Sequence, residues 1–236
     1  RGANLTLNEN DLPLKHIKEF THLYITSLSK KTSKMLPIIV AQAAKDGVPV
    51  AVNPGTSQLT ENVQTLMDSL PHINTLILNC FESTLLMEHV GFTSKNKKHP
   101  NPKKNMPPLL SSLIQQGSTS FLLEDYFKEV HSHGVKIAII TNGADGIYAS
   151  DGSTIYYHPS LPIDIISTVG AGDAFASTFV AQQIKGKSIE DSIRAGIINS
   201  ASVLEHLDAT SGLCSQSDLD EMITDIDKRG IKKFPL

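Results

Sequence analysis

The stretch Ser167-Thr168-Val169-Gly170-Ala171-Gly172-Asp173-Ala174-Phe175 constrains this chain more than any other. It follows an apolar run at 163–166 and leads into helical spacing at Ala174, Phe175, Phe179 and Ile184. A glycine turn that opens a helix offers backbone N–H groups and the positive end of the helix dipole to an anion. Gly170 and Gly172 would let the backbone approach a phosphate with no Cβ between them. Asp173 is out of place if the turn only holds a phosphate. It fits if the carboxylate takes a proton from a hydroxyl that then attacks phosphorus. The turn therefore reads as a phosphoryl-transfer site. Two other readings exist for it: a purely structural helix cap, and a dinucleotide fingerprint. The second is disfavoured because Phe175 stands where a third Gly or Ala belongs, and because the turn lies late in the chain.

Along the chain, short apolar runs alternate with helical patterns. Helices are expected over 11–20, 33–45, 59–70, 82–90, 119–133, 173–185, 189–205 and 217–228. Strands are expected over 22–26, 48–52, 74–78 and 135–141, with a hairpin from 146–149 to 154–158 around Asp151-Gly152. Such alternation predicts βαβ units and a mainly parallel sheet covered on both faces. Open α/β sheets bind ligands at strand ends, and the motifs are expected to fall there. Residues 93–116 break the pattern. They carry Lys95, Lys97, Lys98, Lys103 and Lys104 among prolines and asparagines, and read as a solvated insertion or a lysine-rich flap near phosphates. The rest reads as one α/β nucleotide-binding core domain over 1–236.

Composition excludes classes of function without selecting one. The chain has 236 residues, 40% of them hydrophobic, and a formal net charge of −3, so one sizeable core is expected. Mild acidity leaves no footprint for nucleic acid or an anionic membrane surface. No apolar run is long enough to span a bilayer. Cys80 and Cys214 form no metal or redox spacing and read as free thiols of a reducing cytoplasm. His131 and His133 are the one close histidine pair, and core or surface roles suit them better than metal binding.

Thr168-Val169-Gly170-Ala171-Gly172-Asp173-Ala174-Phe175 resembles the C-terminal signature D-T-x-G-A-G-D-x-F of the ribokinase-like (PfkB) carbohydrate kinases. Asn79-Cys80-Phe81-Glu82 is similar to that family's N-x-x-E motif. Residues 139–146, with Thr141, Gly143 and Gly146, resemble its T-x-G-x-x-G segment, and Asn53-Pro54-Gly55 resembles a further one. The four matches occur in family order. The resemblance implies a three-layer α/β/α sandwich and ATP-dependent transfer of a γ-phosphoryl group to a hydroxyl of a sugar or a nucleoside. It implies Asp173 as general base, with N–H groups of Gly170, Ala171 and Gly172 toward the transferring phosphoryl. It further implies Glu82 with Asn79 near Mg²⁺, Thr141 and Gly143 along the nucleotide, and Asn199 edging the adenine. Cys80 lies inside the N-x-x-E motif, so its oxidation is expected to disturb that end of the site.

Two departures alter the expectation. Ser167 replaces the signature's leading acid, which puts in doubt the activating monovalent-cation site that acid helps form in the family. Arg1-Gly2-Ala3-Asn4 resembles a family segment about a third of the way along, so the substrate-binding Gly-Gly, an Asp and the small β lid have no visible counterpart here. The lid often forms the family's homodimer interface. Two further readings stay open: a nucleotide-binding chain without turnover, and a nucleotide-dependent enzyme of another class such as an oxidoreductase.

Overall fold

The computed structural model describes residues 7–28, 30–92, 106–226 and 230–236. The opening Arg1-Gly2-Ala3-Asn4 and the lysines at 95–104 lie outside these residues. The chain divides into two compact units, one of Arg1–Ile140 with Ala149–Thr154 and Leu236, the other of Thr141–Tyr148 with Ile155–Pro235.

The first unit is of α/β type. Strands β1 (Leu23–Ile25), β2 (Val50–Val52), β3 (Thr75–Asn79) and β6 (Ile137–Thr141, to Ile140 in this unit) follow in the order β1-β2-β3-β6. Leu23 pairs in parallel with Val50, and Ala51 with Thr75. Every residue of β2 and the first four of β3 are buried, as expected of a sheet covered on both faces. Helix α1 (Leu36–Lys45) carries Pro37 in its first turn, where the missing N–H costs nothing, and buries Leu36, Val40 and Ala43. Helix α4 (Cys80–His89) follows β3 directly, and α6 (Leu123–Ser132) buries Tyr126, Phe127 and Val130.

Some elements differ from expectation for identifiable reasons. Residues 59–70 form two helices, α2 (Thr56–Thr60) and α3 (Val63–Ser69), because Asn62 at φ −140° and ψ 35° leaves helical geometry. Residues 11–20 form 3₁₀ turns, Glu9–Asp11 and Leu14–Glu19, on either side of Pro13. Thr119–Phe121 is strand β5, paired antiparallel with β4 (Ile114–Gln116) across a two-residue turn with Gly117 at φ 56°. Of the segment read as an insertion, Pro108–Ser111 is the short helix α5 and Ile114–Gln116 is β4.

Strands β7 (Ile147–Ser150), β8 (Thr154–His158) and β9 (Lys232–Pro235) are successive neighbours, with Ile147–Tyr148, Ile155–His158 and β9 in the second unit, and the expected hairpin is present. Helices α7 (Ala171–Ile184) and α8 (Ile189–Leu204) pack closely because α8 presents Gly196 to Phe175. A Cβ at Gly196 would lie 2.7 Å from the Phe175 ring. Ser188 caps α8 by accepting from the Asp191 N–H at 3.1 Å, and Ser215 with Asp218 caps α9 (Gln216–Asp225). Strand β9 has no alternating apolar signal and was not foreseen; Lys233 anchors it through an ion pair to Glu190 and a position over the Tyr156 ring. Among the described residues no helix is long and apolar enough to cross a membrane.

His158, at the end of β8, is 2% exposed. Its Nδ1 donates to the Pro159 carbonyl at 2.6 Å, which leaves Nε2 as a buried acceptor beside Gly230 with no hydrogen-bond partner among the described residues. Burial, aided by the Arg194 guanidinium, holds this imidazole below its ordinary pKa despite the Pro159 bond. The folded state therefore favours neutral His158, and below about pH 6.5 the unfolded chain binds the extra proton. Urea midpoints should be level above that pH and fall as pH drops from 6.5 to 5. In His158→Asn, whose amide keeps a donor for Pro159, the decline should be shallower; an unchanged slope would remove His158 as its source.

Candidate active site

The signature turn sits on an irregular segment, 159–170, between β8 and α7, and not at a strand end as expected. Ile166 and Ser167 donate their N–H groups to the Leu204 carbonyl at 2.9 and 3.2 Å, which fastens this segment to the last turn of α8. The Ser167 hydroxyl accepts from the Val169 N–H at 3.3 Å. Gly170 is the N-cap of α7 with φ 86° and ψ −13°. A Cβ there would come within 2.6 Å of the Ala209 Cβ and 2.8 Å of its Cα. Both conformation and space thus demand glycine. Asp208 stiffens the opposing loop by accepting from Ser211 N–H and Oγ, each at 2.7 Å, and from Thr210 N–H and Oγ1 at 2.8 and 2.9 Å. These bonds, from Ser211 first and then Thr210, hold its carboxyl well below the usual carboxylate range.

Gly172 is different. A Cβ built on it meets nothing within 4 Å. Among the described residues no side chain caps the first turn, so the opening N–H groups of α7 have no intrahelical or capping partner there. Asp173, in that first turn, is exposed, and its carbonyl accepts from Ser177 Oγ at 2.7 Å.

Beside this turn lies a cavity of about 500 Å³, built wholly from the second unit. Its wall includes Thr168, Ala171 and Gly172 from the signature, Thr141 from the end of β6 and Gly143 from the turn after it. Ile197, Ser200, Ala201 and Leu204 form a further wall, one stripe of α8 at helical spacing. Ile163, Ile165 and Phe175 add apolar surface. The Thr141 turn is closed by Gly146 at φ 104°, where a Cβ would lie 2.1 Å from the His158 carbonyl oxygen. The structure thus brings Gly172, Ala171, Thr141 and Gly143 to one cavity, with Gly170 and Asp173 flanking them in sequence.

Asn199 is not on that wall. It is buried, donates from Nδ2 to Thr178 Oγ1 at 2.6 Å and accepts from the Cys214 N–H at 2.8 Å. Its amide ties α8 to α7 and to the Cys214 segment. The sequence analysis names neither Ser160 nor the α8 stripe with Ser200; for the stripe, the helical spacing 197, 200, 201, 204 was a signal, whereas Ser160 had none.

Asn79 and Glu82 lie in the first unit and form a reciprocal cap on α4. The Glu82 N–H donates to Asn79 Oδ1 at 2.8 Å, and the Asn79 N–H donates to Glu82 Oε2 at 2.9 Å. Glu82 is buried, and desolvation raises its pKa against the opposing effect of the Asn79 bond. Tyr126, whose hydroxyl is buried, is pushed above its ordinary pKa by burial and by the Glu82 charge. Among the described residues no three His, Cys, Asp or Glu converge as a metal cage. This donor set suits Mg²⁺ only in its usual manner, with few protein groups and several waters. The open space over Gly172 and the apolar cavity beside it suit a nucleotide.

A family model for pfkB family carbohydrate kinases matches residues 1–215. The chain belongs to that family. A cytidine kinase of Thermococcus kodakarensis is 35% identical over 86 residues, 35% of this chain and 31% of that protein. A 1-phosphofructokinase of Haloferax volcanii is 32% identical over 77 residues, 33% of this chain and 25% of that protein. An E. coli protein described as a ribokinase II, in complex with ATP and Mg²⁺, superposes with a TM-score of 0.71 at 15% identity, covering 93% of this chain and 64% of that one. That likeness establishes the ribokinase-type α/β fold. These matches span a third or less of the curated relatives and under two thirds of the solved chain.

The two glycines of the turn should respond differently to alanine. Gly170→Ala should lower unfolding stability by about 1–3 kcal/mol through left-handed strain and overlap with Ala209. Gly172→Ala should be neutral or up to about 1 kcal/mol stabilising, since it is helical and faces open space. Denaturant unfolding of both variants, compared with the parent chain, measures the contrast.

Proposed function

We propose that the protein is an ATP-dependent kinase that transfers the γ-phosphoryl group to a hydroxyl of a sugar or nucleoside. The observation that carries this reading is the glycine-capped N-terminus of α7, opening beside the apolar cavity with a carboxylate, Asp173, in its first turn. Bound MgATP would supply the phosphoryl group and neutralise its charge.

The chain's own residues would do the rest. Asp173 accepts the proton of the acceptor hydroxyl as its oxygen attacks phosphorus. N–H groups of Gly170, Ala171 and Gly172 face the charge that develops on the phosphoryl oxygens, assisted by the α7 dipole. Thr141 and Gly143 lie along the nucleotide, and the cavity takes its base. Asn199 acts beneath the cavity as a positioning residue, holding α8 to α7. Glu82 and Asn79 would hold Mg²⁺ through water. A nucleoside acceptor is the second reading, motivated by the similarity to a cytidine kinase.

The test is coupled ADP release with MgATP over pentoses, hexoses, sugar phosphates and nucleosides, for the parent chain and Asp173→Asn. Release should depend on one acceptor class and fall about 10²–10⁴-fold in the variant, the usual worth of a general base. Near-full turnover by Asp173→Asn would eliminate its assignment. MgATP binding without release on any acceptor would favour a nucleotide-binding chain that no longer turns over.

A further inference from the structure

We propose that the C-terminal segment from Gly230 through β9 supports the nucleotide cavity from behind, and that His158 is the positioning residue through which it sets the cavity wall. This rests on the nucleotide reading above and adds to it a support that touches no ligand.

The turn after β6 hangs on residues 157–160 by successive contacts. The Tyr157 hydroxyl donates to the Asp145 carbonyl at 3.0 Å, and Ser160 Oγ donates to the Ala144 carbonyl at 2.5 Å. Between them the His158 carbonyl abuts Gly146, where a Cβ would lie 2.1 Å from its oxygen and 2.8 Å from Pro159 Cα. Turn and segment are thus packed as one block. Gly143, Ala144 and Gly146 from the turn, and Ser160 and Leu161 from the segment, line the cavity.

The imidazole of His158 meets the C-terminal segment. A Cβ at Gly230 would come 2.6 Å from Nε2, 3.1 Å from Cδ2 and 3.2 Å from Cε1, so this glycine admits the edge of the ring. Burial keeps the imidazole neutral, and its hydrogen is on Nδ1, where it is given to Pro159. Nε2 therefore carries none, and the ring edge can press against main chain. The φ of Gly230 lies outside the left-handed region, so alanine suits its backbone and the contact alone calls for glycine.

The ring has little room to yield. It is buried, and Nδ1 is tied to the main chain of Pro159, one residue before Ser160. Strand β9 is held as well, by its ladder with β8 and by Lys233 on Glu190 and over the Tyr156 ring. A displacement at Gly230 is passed to Pro159, then to Ser160 and the turn that Ser160 holds, and so to the cavity.

Titration calorimetry with MgADP on the parent chain, Gly230→Ala, His158→Asn and the double variant tests this, with urea unfolding run on each to show that it is folded. Asparagine keeps a donor for Pro159 and is shorter than histidine, which leaves room for the added methyl. Gly230→Ala should weaken MgADP binding by about tenfold or more, and the double variant should return to within about threefold of His158→Asn, a coupling that independent sites lack. Parental affinity in folded Gly230→Ala would overturn the inference, as would a double variant that binds no tighter than Gly230→Ala. If Gly230→Ala does not fold, hydrogen exchange on the parent chain decides. Saturating MgADP should slow exchange of the 232–234 amides, since opening of β9 then costs the bound nucleotide, and unchanged rates there would overturn the inference. Absence of MgADP binding by the parent chain would overturn the nucleotide reading itself, and this inference with it.

Discussion

The contact between Gly170 and Ala209 fixes where α7 begins. Left-handed geometry at Gly170 turns the incoming segment sharply, and the absent Cβ leaves room for the Asp208-stiffened loop to press against it. With the start of α7 set, Phe175 falls opposite Gly196, and α8 can approach until its 197–204 stripe forms a wall of the cavity. Two glycines serving as contact points thus set the start of α7 and its approach to α8 beside the apolar chamber. The third glycine of this region, Gly172, has no such neighbour, and a Cβ there would meet open space.

Helix α8 divides its work by face. Asn199 donates to Thr178 and accepts from Cys214, while Ser200 and Ala201, the next residues along, turn to the cavity. A buried amide engaged at both its nitrogen and its oxygen holds two helices in register. A comparable economy operates in the first unit. The Asn79–Glu82 pair caps α4, and the same cap leaves Glu82 with one carboxylate oxygen not engaged by the Asn79 N–H, in surroundings that raise its pKa. A structural cap and a candidate ligand are compatible roles for one residue.

What could be read in advance followed from local physics. The βαβ alternation, the hairpin at Asp151-Gly152, the tolerance of Pro37 in α1 and the helix after Gly170 all depend on residues adjacent in the chain. The division of 59–70 at Asn62 and the strand at Thr119–Phe121 were not readable, because each turns on competition between similar local preferences that a partner decides. For β5 the partner is Ile114–Gln116, and for β9 the partners are Glu190 and Tyr156, which its Lys233 reaches.

By itself the sequence determined the family and the α/β class, and it named Gly170, Ala171, Gly172, Asp173, Thr141, Gly143, Asn79 and Glu82 as candidates for phosphoryl chemistry. Short motifs suffice for this because turn geometry, helix caps and dipoles act over a few residues. The tertiary structure alone decided that Asn199 braces rather than lines the cavity, that Gly170 is held by Ala209 while Gly172 stands open, and that the chamber wall is apolar and hydroxylic. These are properties of surfaces assembled from distant segments, and no local preference encodes which side chain a neighbouring helix will claim.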